Sequence, residues 1–209
     1  MRSATRFRGF NSHPRLEGTH AFLSPSSYHW INYDQAKLLE RLNAAEAASR
    51  GSSLHELAAH AISEQVYLRE DEENLATYCL AMYVNDAIDF GMVPEQTLFY
   101  SLNCYGTTDS IGFEEENMFL RIHDFKSGVS PTSEKQLYVY GALFCLEYGY
   151  LPYEMNGELR IYQFDGYRSF EIDRAFLAHV VDMIRMHDKN IEDFRQERRE
   201  RRRLSWKSR

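Results

Sequence analysis

Cysteine is scarce in this sequence: the 209 residues include only Cys79, Cys104 and Cys145. The three are far apart and odd in number, so they do not form the even set that disulfide-stabilised secreted domains carry. This pattern predicts reduced thiols and a cytoplasmic protein. Three scattered cysteines also fall short of the four thiolates that an iron–sulfur cluster usually needs, so we expect no such cluster.

Long hydrophobic runs are also missing. No stretch reaches the roughly 18 apolar residues of a transmembrane helix, and residues 1–18 lack the apolar segment of a secretory signal. We therefore expect no membrane partner. A hydrophobic content of 44% over 209 residues suffices for one domain with a sizeable core. We predict an extended lead-in over 1–22, a single domain over 23–194 and a basic tail over 195–209.

The charge of the chain is distributed unevenly between this tail and the rest. Residues 195–209 carry seven Arg and one Lys against two Glu, a net charge of +6, which leaves −13 on the remainder of a chain whose total is −7. Such asymmetry indicates an interaction arm that can neutralise phosphates. A solvated helix with pairs such as Glu197 with Arg201 is the alternative. The arginines expected to bind nucleic acid are Arg198, Arg199, Arg201, Arg202 and Arg203.

Two acids and a lysine stand out in the middle of the chain. Residues 105–126 read as two β-strands joined by a polar turn, because apolar and polar residues alternate along them. Asp109 and Asp124 lie on these neighbouring strands, and their carboxylates could converge on a hard cation such as Mg²⁺ or Mn²⁺. Lys126 leaves its strand on the same face as Asp124 and could orient an attacking water. Ordinary charges on a surface strand are the alternative for so short a motif.

The remaining segments predict helices around this hairpin. Apolar spacing and capping residues indicate helices before it, after it and at the C-terminal end, with further strands between them. The fold class is therefore α/β, with a small mixed central sheet flanked by helices and with N-terminal helices ahead of it. The predicted helices are 34–49, 54–69, 71–90, one from Leu137 and one from Asp173, and the further strands are 95–102 and 159–164.

Four short motifs follow one another along the chain. They read R-G-x-x-x-H, G-x-x-D, D-x-K-S-G and Q-x-x-x-Y, and they occupy residues 50–55, 106–109, 124–128 and 136–140. In this order they resemble the RecB-like branch of the PD-(D/E)XK nuclease superfamily, particularly phage-encoded exonucleases and the related CRISPR-adaptation nucleases. The resemblance covers residues 23–164 and implies a restriction-endonuclease-like core.

The resemblance also implies an activity and a metal site. The activity is metal-dependent hydrolysis of DNA, with Asp109, Asp124 and Lys126 as catalytic residues. The ion would be Mg²⁺ or Mn²⁺, bound by His55, Asp109, Asp124 and the backbone carbonyl of Phe125. For His55 alone, an ordinary surface or core position on a helix is the alternative.

Three further residues acquire roles from the same resemblance. Gln136 and Tyr140 lie four residues apart on one helix face, and they would contact DNA or brace the site. Packing in the core is the alternative for Tyr140. Glu95 begins a predicted strand where relatives often carry an acid, and an exposed strand end explains it equally well.

The resemblance favours an exonuclease of phage recombination or genome processing, acting in the host cytoplasm if the protein is phage-encoded. Its partner would be single- or double-stranded DNA, and a homo-oligomer or a recombination partner protein is also compatible. The alternative is a non-catalytic nucleic-acid-binding or protein-adaptor member of the same fold. Cleavage mode, strand polarity, the number of metal ions and the oligomeric state stay open at this point.

Overall fold

A computed structural model of the protein describes residues 9–19, 21–39, 53–70, 75–126 and 132–207. Within these ranges five strands form one open sheet in chain order, and of their four pairings the one between β3 and β4 is parallel. The predicted α/β fold, a small mixed sheet flanked by helices, is confirmed in this general form. The strands are β1 Val93–Ser101, β2 Cys104–Glu114, β3 Phe119–Lys126, β4 Asn156–Gln163 and β5 Gly166–Glu171. The longer helices among these residues are α1 Ser53–Ser63, α2 Leu75–Asp89, α3 Lys135–Tyr148 and α4 Arg174–Lys207.

Helices cover both faces of this sheet. The helices α3 and α4 lie on one face, and α1 and α2 lie on the other. The crossover that a parallel strand pair requires is provided by α3, which connects β3 to β4. Because α3 lies between the sheet and α4, Leu137, Leu143 and Phe144 have no exposed surface. On the opposite face, Tyr83 of α2 stacks on Phe125 of β3 with ring centroids 5.8 Å apart.

The first helix of this layer ends earlier than its apolar pattern predicts. α1 ends at Ser63, whereas apolar spacing predicts a helix as far as residue 69. Gln65 takes a left-handed backbone with φ of 57°. The backbone N–H of Gln65 bonds to the Ile62 carbonyl and that of Val66 to the Ala61 carbonyl, the pairing of a Schellman C-cap. The cap turns the chain away, and Val66 is left 53% exposed rather than on the apolar face.

A network of polar side chains fixes α4 to the turn between β1 and β2. Ser101 Oγ donates to Asp188 Oδ1 at 2.6 Å, and Asn103 Nδ2 donates to Asp188 and Glu192, each at 2.8 Å. Arg195 donates back to Asn103 Oδ1 at 2.6 Å. Beyond Arg195 the helix continues to Lys207, so the predicted basic tail is a helical extension of α4 as far as that residue. Within the described residues no helix, α4 included, is apolar over enough length to cross a membrane.

The described part of the predicted lead-in contacts the domain. Phe10 packs edge-on against Phe144 with centroids 6.4 Å apart, and the Asn11 backbone N–H donates to the Tyr148 hydroxyl at 2.8 Å. Several predicted features lie outside the described residues. These are residues 1–8, 20, 40–49, 71–74 and 208–209 of the predicted segments, 50–52 of the first motif and 127–128 of the third.

A tight contact explains the glycine of the G-x-x-D motif. A Cβ at Gly106 would lie 2.4 Å from Pro25 Cδ and 3.3 Å from the Tyr140 ring. We expect Gly106→Ala to lower the free energy of unfolding by about 1–3 kcal/mol, the usual cost of overpacking. Urea denaturation would measure it. Gly166→Ala is the matched control, because no atom lies within 4 Å of its added Cβ. Equal stability of the two variants would contradict this account.

Candidate metal centre

Three acids lie side by side across three strands. Asp109 of β2 is one step beyond the last paired residues, Ser110 and His123, and it therefore faces Asp124 of β3. On its other side, the pairing of Pro94 with Ser110 and of Gln96 with Thr108 places Glu95 opposite Asp109. Like charges directly opposite one another destabilise a sheet, so this row needs compensating positive charge.

Where β2 and β3 separate, the Asp109 side chain replaces a backbone hydrogen bond between the two strands. Its Oδ2 accepts a hydrogen bond from the Phe125 backbone N–H at 2.8 Å. Its Oδ1 lies 3.3 Å from Nδ1 of His55, which α1 brings in from the helical layer. The His55 ring contacts the Phe125 ring in an edge-on arrangement, with centroids 5.8 Å apart. Phe125 thus holds both the carboxylate and the imidazole in place.

One donor set for a metal emerges from these positions. His55, Glu95 and Asp109 each offer a ligand atom, and the three atoms lie within 4.8 Å of one another. One imidazole nitrogen and two carboxylate oxygens suit Mn²⁺, and the oxygens also suit Mg²⁺. Glu95 is the member of this set that sequence reasoning leaves undecided. Its backbone is left-handed with φ of 48°, and nothing in the sequence signals that conformation.

Asp124 is engaged with the lysine rather than with this set. Lys126 Nζ donates to Asp124 Oδ1 at 2.9 Å, and Gln136 Nε2 approaches the same oxygen at 3.3 Å. The Asp124 side chain is only 3% exposed, whereas that of Lys126 is 29% exposed. Both contacts use Oδ1 of Asp124. Asp109, Asp124, Lys126 and His55 therefore lie near one another, but Asp124 is not part of the donor set. Their roles in metal binding and catalysis stay predictions.

The remaining predicted residues lie at varied distances from this centre. Gln136 also approaches Lys126 Nζ through its Oε1, at 3.4 Å. Tyr140 is buried, and its hydroxyl donates to the backbone carbonyl of Thr107, two residues before Asp109. Its position therefore braces β2 and belongs to the core. The arginines lie apart on the exposed end of α4, where Arg198, Arg199 and Arg201 are solvent-exposed and the side chains of Arg202 and Arg203 are outside the described residues.

The pKa values of four groups in the centre are raised, and the centre holds more negative than positive charge. Burial, followed by the charge of Asp109, raises the pKa of Asp124. Removal from water, followed by the charge of Asp109, raises the pKa of Glu95 to about 7, although Glu95 is a solvent-exposed residue. The hydrogen bond with Asp109 raises the pKa of His55. Burial opposes the charged form of Lys126, but Asp124 and Asp109 outweigh it and raise its pKa. The centre therefore favours added positive charge, whether a proton or a cation.

None of the three cysteines belongs to the donor set of this centre. Cys104 and Cys145 belong to the larger core cluster, and Cys79 belongs to the cluster beneath α1 and α2. Burial raises the pKa of Cys79 to about 11 and that of Cys145 to about 12, so both are protonated thiols at neutral pH. The expected absence of an iron–sulfur cluster stays a prediction.

Comparisons of the chain with models of known protein families and with curated protein sequences gave no match. The site must therefore be judged on its own geometry and chemistry.

Metal binding at this centre should depend on pH. Mn²⁺ would displace protons held by His55, Glu95 and Asp124, so its apparent affinity should rise with pH through the range near 7. The logarithm of the association constant should climb by about one per pH unit for each proton displaced. Calorimetric titration of Mn²⁺ at several pH values would measure this slope, and an affinity independent of pH would contradict it.

Glu95→Gln is the variant that isolates one of these protons. This substitution should weaken Mn²⁺ binding and lower the slope of the logarithm of the association constant against pH by about one. The ion-free protein offers a second measurement. Because the pKa of Glu95 is raised on folding, its contribution to stability is fully present below the unfolded pKa and is lost as pH rises through about 7. Urea denaturation of Glu95→Gln should show a smaller decline over that range.

Proposed function

We propose that the protein is a metal-dependent nuclease that hydrolyses phosphodiester bonds in DNA. The observation that carries the proposal is the convergence of His55, Glu95, Asp109, Asp124 and Lys126 at one end of the sheet. These residues come from one helix and three strands. A row of acids with one lysine and one imidazole is a costly arrangement for a fold alone, and perturbed acids grouped in this way are typical of functional sites.

The donor set fits a divalent ion. His55, Glu95 and Asp109 would hold it. Asp124 and the Phe125 carbonyl, the two other ligands that the resemblance implies, would join them. An ion bound there would polarise a scissile phosphate and lower the pKa of a bound water. The PD-(D/E)XK core, a Mg²⁺ or Mn²⁺ requirement and an exonuclease mode of the phage type all belong to this proposal.

Lys126 acts as a cation in this scheme. Its ion pair with Asp124 keeps it protonated, so it can orient a water or stabilise charge on phosphate, and it cannot accept a proton. Gln136 positions the pair by contacting both of its members.

The basic extension of α4 leaves the body at the end of the sheet that carries the acids. Arg174, at the start of α4, donates to the Met155 carbonyl just before β4, at the opposite end. Asn103 then binds the helix near residue 192, beyond Asp109 along β2. The cationic arm therefore lies where it could offset the repulsion between an acidic body and DNA.

Cleavage assays on end-labelled single- and double-stranded DNA, with Mg²⁺, Mn²⁺ or EDTA, test the proposal. Metal-dependent products support it, and the size of the first products separates exonuclease from endonuclease cleavage. DNA binding without cleavage under all these conditions would favour the non-catalytic alternative.

Substitutions at the acids should separate ion binding from the chemical step. Asp109→Ala and Asp124→Asn should each lower the cleavage rate at least about 100-fold, because each removes a charged ligand. Lys126→Ala should lose turnover to a similar extent but retain Mn²⁺ binding. Asp182→Asn, at an acid that is 77% exposed on α4, is the control and should cleave normally. Normal turnover in Asp124→Asn would refute the assignment.

Removal of the helical arm should weaken DNA binding without abolishing chemistry. Deleting residues 196–209 keeps Arg195, which the Asn103 contact needs. Each lost phosphate contact should reduce the slope of log affinity against log salt by about 0.9 on duplex DNA. Fluorescence anisotropy at several salt concentrations would measure it. Lys189→Ala, which removes a cation paired with Asp193, is the control. An unchanged salt slope after the deletion would show that the arm does not bind DNA.

A further inference from the structure

The turn between β4 and β5 presents an aromatic side chain to solvent in an unusual backbone conformation. Phe164 has φ of 64° and is 54% exposed. The turn has two central residues, Phe164 and Asp165, and of these only the first has positive φ. Glycine is the usual residue at such a position, because a bulky side chain there is strained. Neither burial nor turn geometry accounts for a phenylalanine here.

The turn lies beside the candidate metal centre. The parallel pairing of β3 with β4 places Gln163 next to Lys126 and Ile161 next to Asp124. Phe164 follows Gln163 directly. From the rise per residue and the strand spacing, the Cα atoms of Phe164 and Asp124 are about 11 Å apart. That is about three nucleotides of a stacked strand.

A cleft next to this turn offers both an aromatic and a cationic surface. It measures about 440 Å³, and its lining includes Thr132, Phe164, Tyr167 and Arg168. Tyr167 is 46% exposed. One guanidinium nitrogen of Arg168 donates to the Thr132 carbonyl at 3.0 Å and to its hydroxyl at 2.6 Å. These bonds order the guanidinium, which has five N–H donors in all and can still bind an anion.

We infer that Phe164 stacks on an unpaired base of the DNA strand that enters the metal centre, while Arg168 binds the adjacent phosphate. The inference rests on the proposed nuclease function and names the part of the substrate that the turn binds. An exposed aromatic face next to a fixed cation is the combination that binds single-stranded nucleic acid. Asp165 repels phosphate, so the strand's backbone passes on the Arg168 side of the turn. The enzyme would therefore favour DNA with unpaired nucleotides about three positions from the scissile bond.

Binding of single-stranded DNA that contains 2-aminopurine tests the inference, since stacking on an aromatic ring quenches this base. The full-length protein is used in EDTA, so that no strand is cleaved. Quenching at one position along the strand is expected, and Phe164→Ala should abolish it and weaken binding about tenfold or more. Phe164→Trp should retain quenching. Phe164→Leu, which keeps apolar bulk without an aromatic face, should behave like the alanine variant.

Tyr153→Ala provides the matched control. Tyr153 is 66% exposed and lies in the turn before β4, at the opposite end of that strand. Its removal should change neither quenching nor affinity. Because Phe164 is exposed, its variants should melt at the wild-type temperature. Blunt duplex DNA should show a smaller loss of affinity in Phe164→Ala than single-stranded DNA does.

The outcomes separate this inference from the proposed function. If the wild-type protein cleaves DNA while Phe164→Ala and Phe164→Leu bind and quench as it does, the inference is wrong and the nuclease function stands. Equal losses in Tyr153→Ala and Phe164→Ala would also overturn it. If the wild-type protein neither binds nor cleaves DNA with any metal, both fail.

Discussion

The carboxylate of Asp109 joins parts of the structure that the backbone alone does not connect. It bonds to the Phe125 N–H where β2 and β3 separate, and it reaches His55 on α1. With Glu95 on one side and Asp124 on the other, it is also the middle acid of the row. Phe125 packs on both His55 and Tyr83, so the same contact connects the sheet to the helical layer beneath it. A substitution of Asp109 would therefore change both the positions of the neighbouring side chains and the charge of the centre.

The cost of this arrangement ties stability to ligand binding. Burying Asp124 beside Asp109 raises its pKa, and Lys126 offsets only part of the unfavourable charge. A cation that binds the folded protein and not the unfolded chain stabilises the fold by mass action. A bound metal ion would then serve the reaction and also stabilise the fold at this end of the sheet. Such a site trades stability of the ion-free protein for a preformed ligand set.

The parts of the fold that can be predicted from the sequence are those in which apolar and polar residues alternate or recur at a fixed spacing. Period-2 alternation predicts β2 and β3, and hence the meeting of Asp109, Asp124 and Lys126, because both strands have buried faces. The same pattern does not predict β5, because β5 is an edge strand and most of its side chains are exposed on both faces. Glu95 and Gln65 depend on left-handed backbone at residues that do not favour it. Tertiary contacts select those conformations, and a local pattern cannot reveal them.

In the arm beyond Arg195, helix stability and the binding of a polyanion would depend on the same arginine charges. Residues 196–201 are exposed, so burial of apolar surface does not hold the helix there. The pair between Glu197 and Arg201, at 3.9 Å, is exposed and contributes little. Neighbouring arginines repel one another along the same helix. Phosphates would remove that repulsion, so a polyanion that binds the arm would also stabilise its helical form. The Asn103 network fixes α4 to the body just before this exposed part, and it thereby sets the direction in which the arm leaves the sheet.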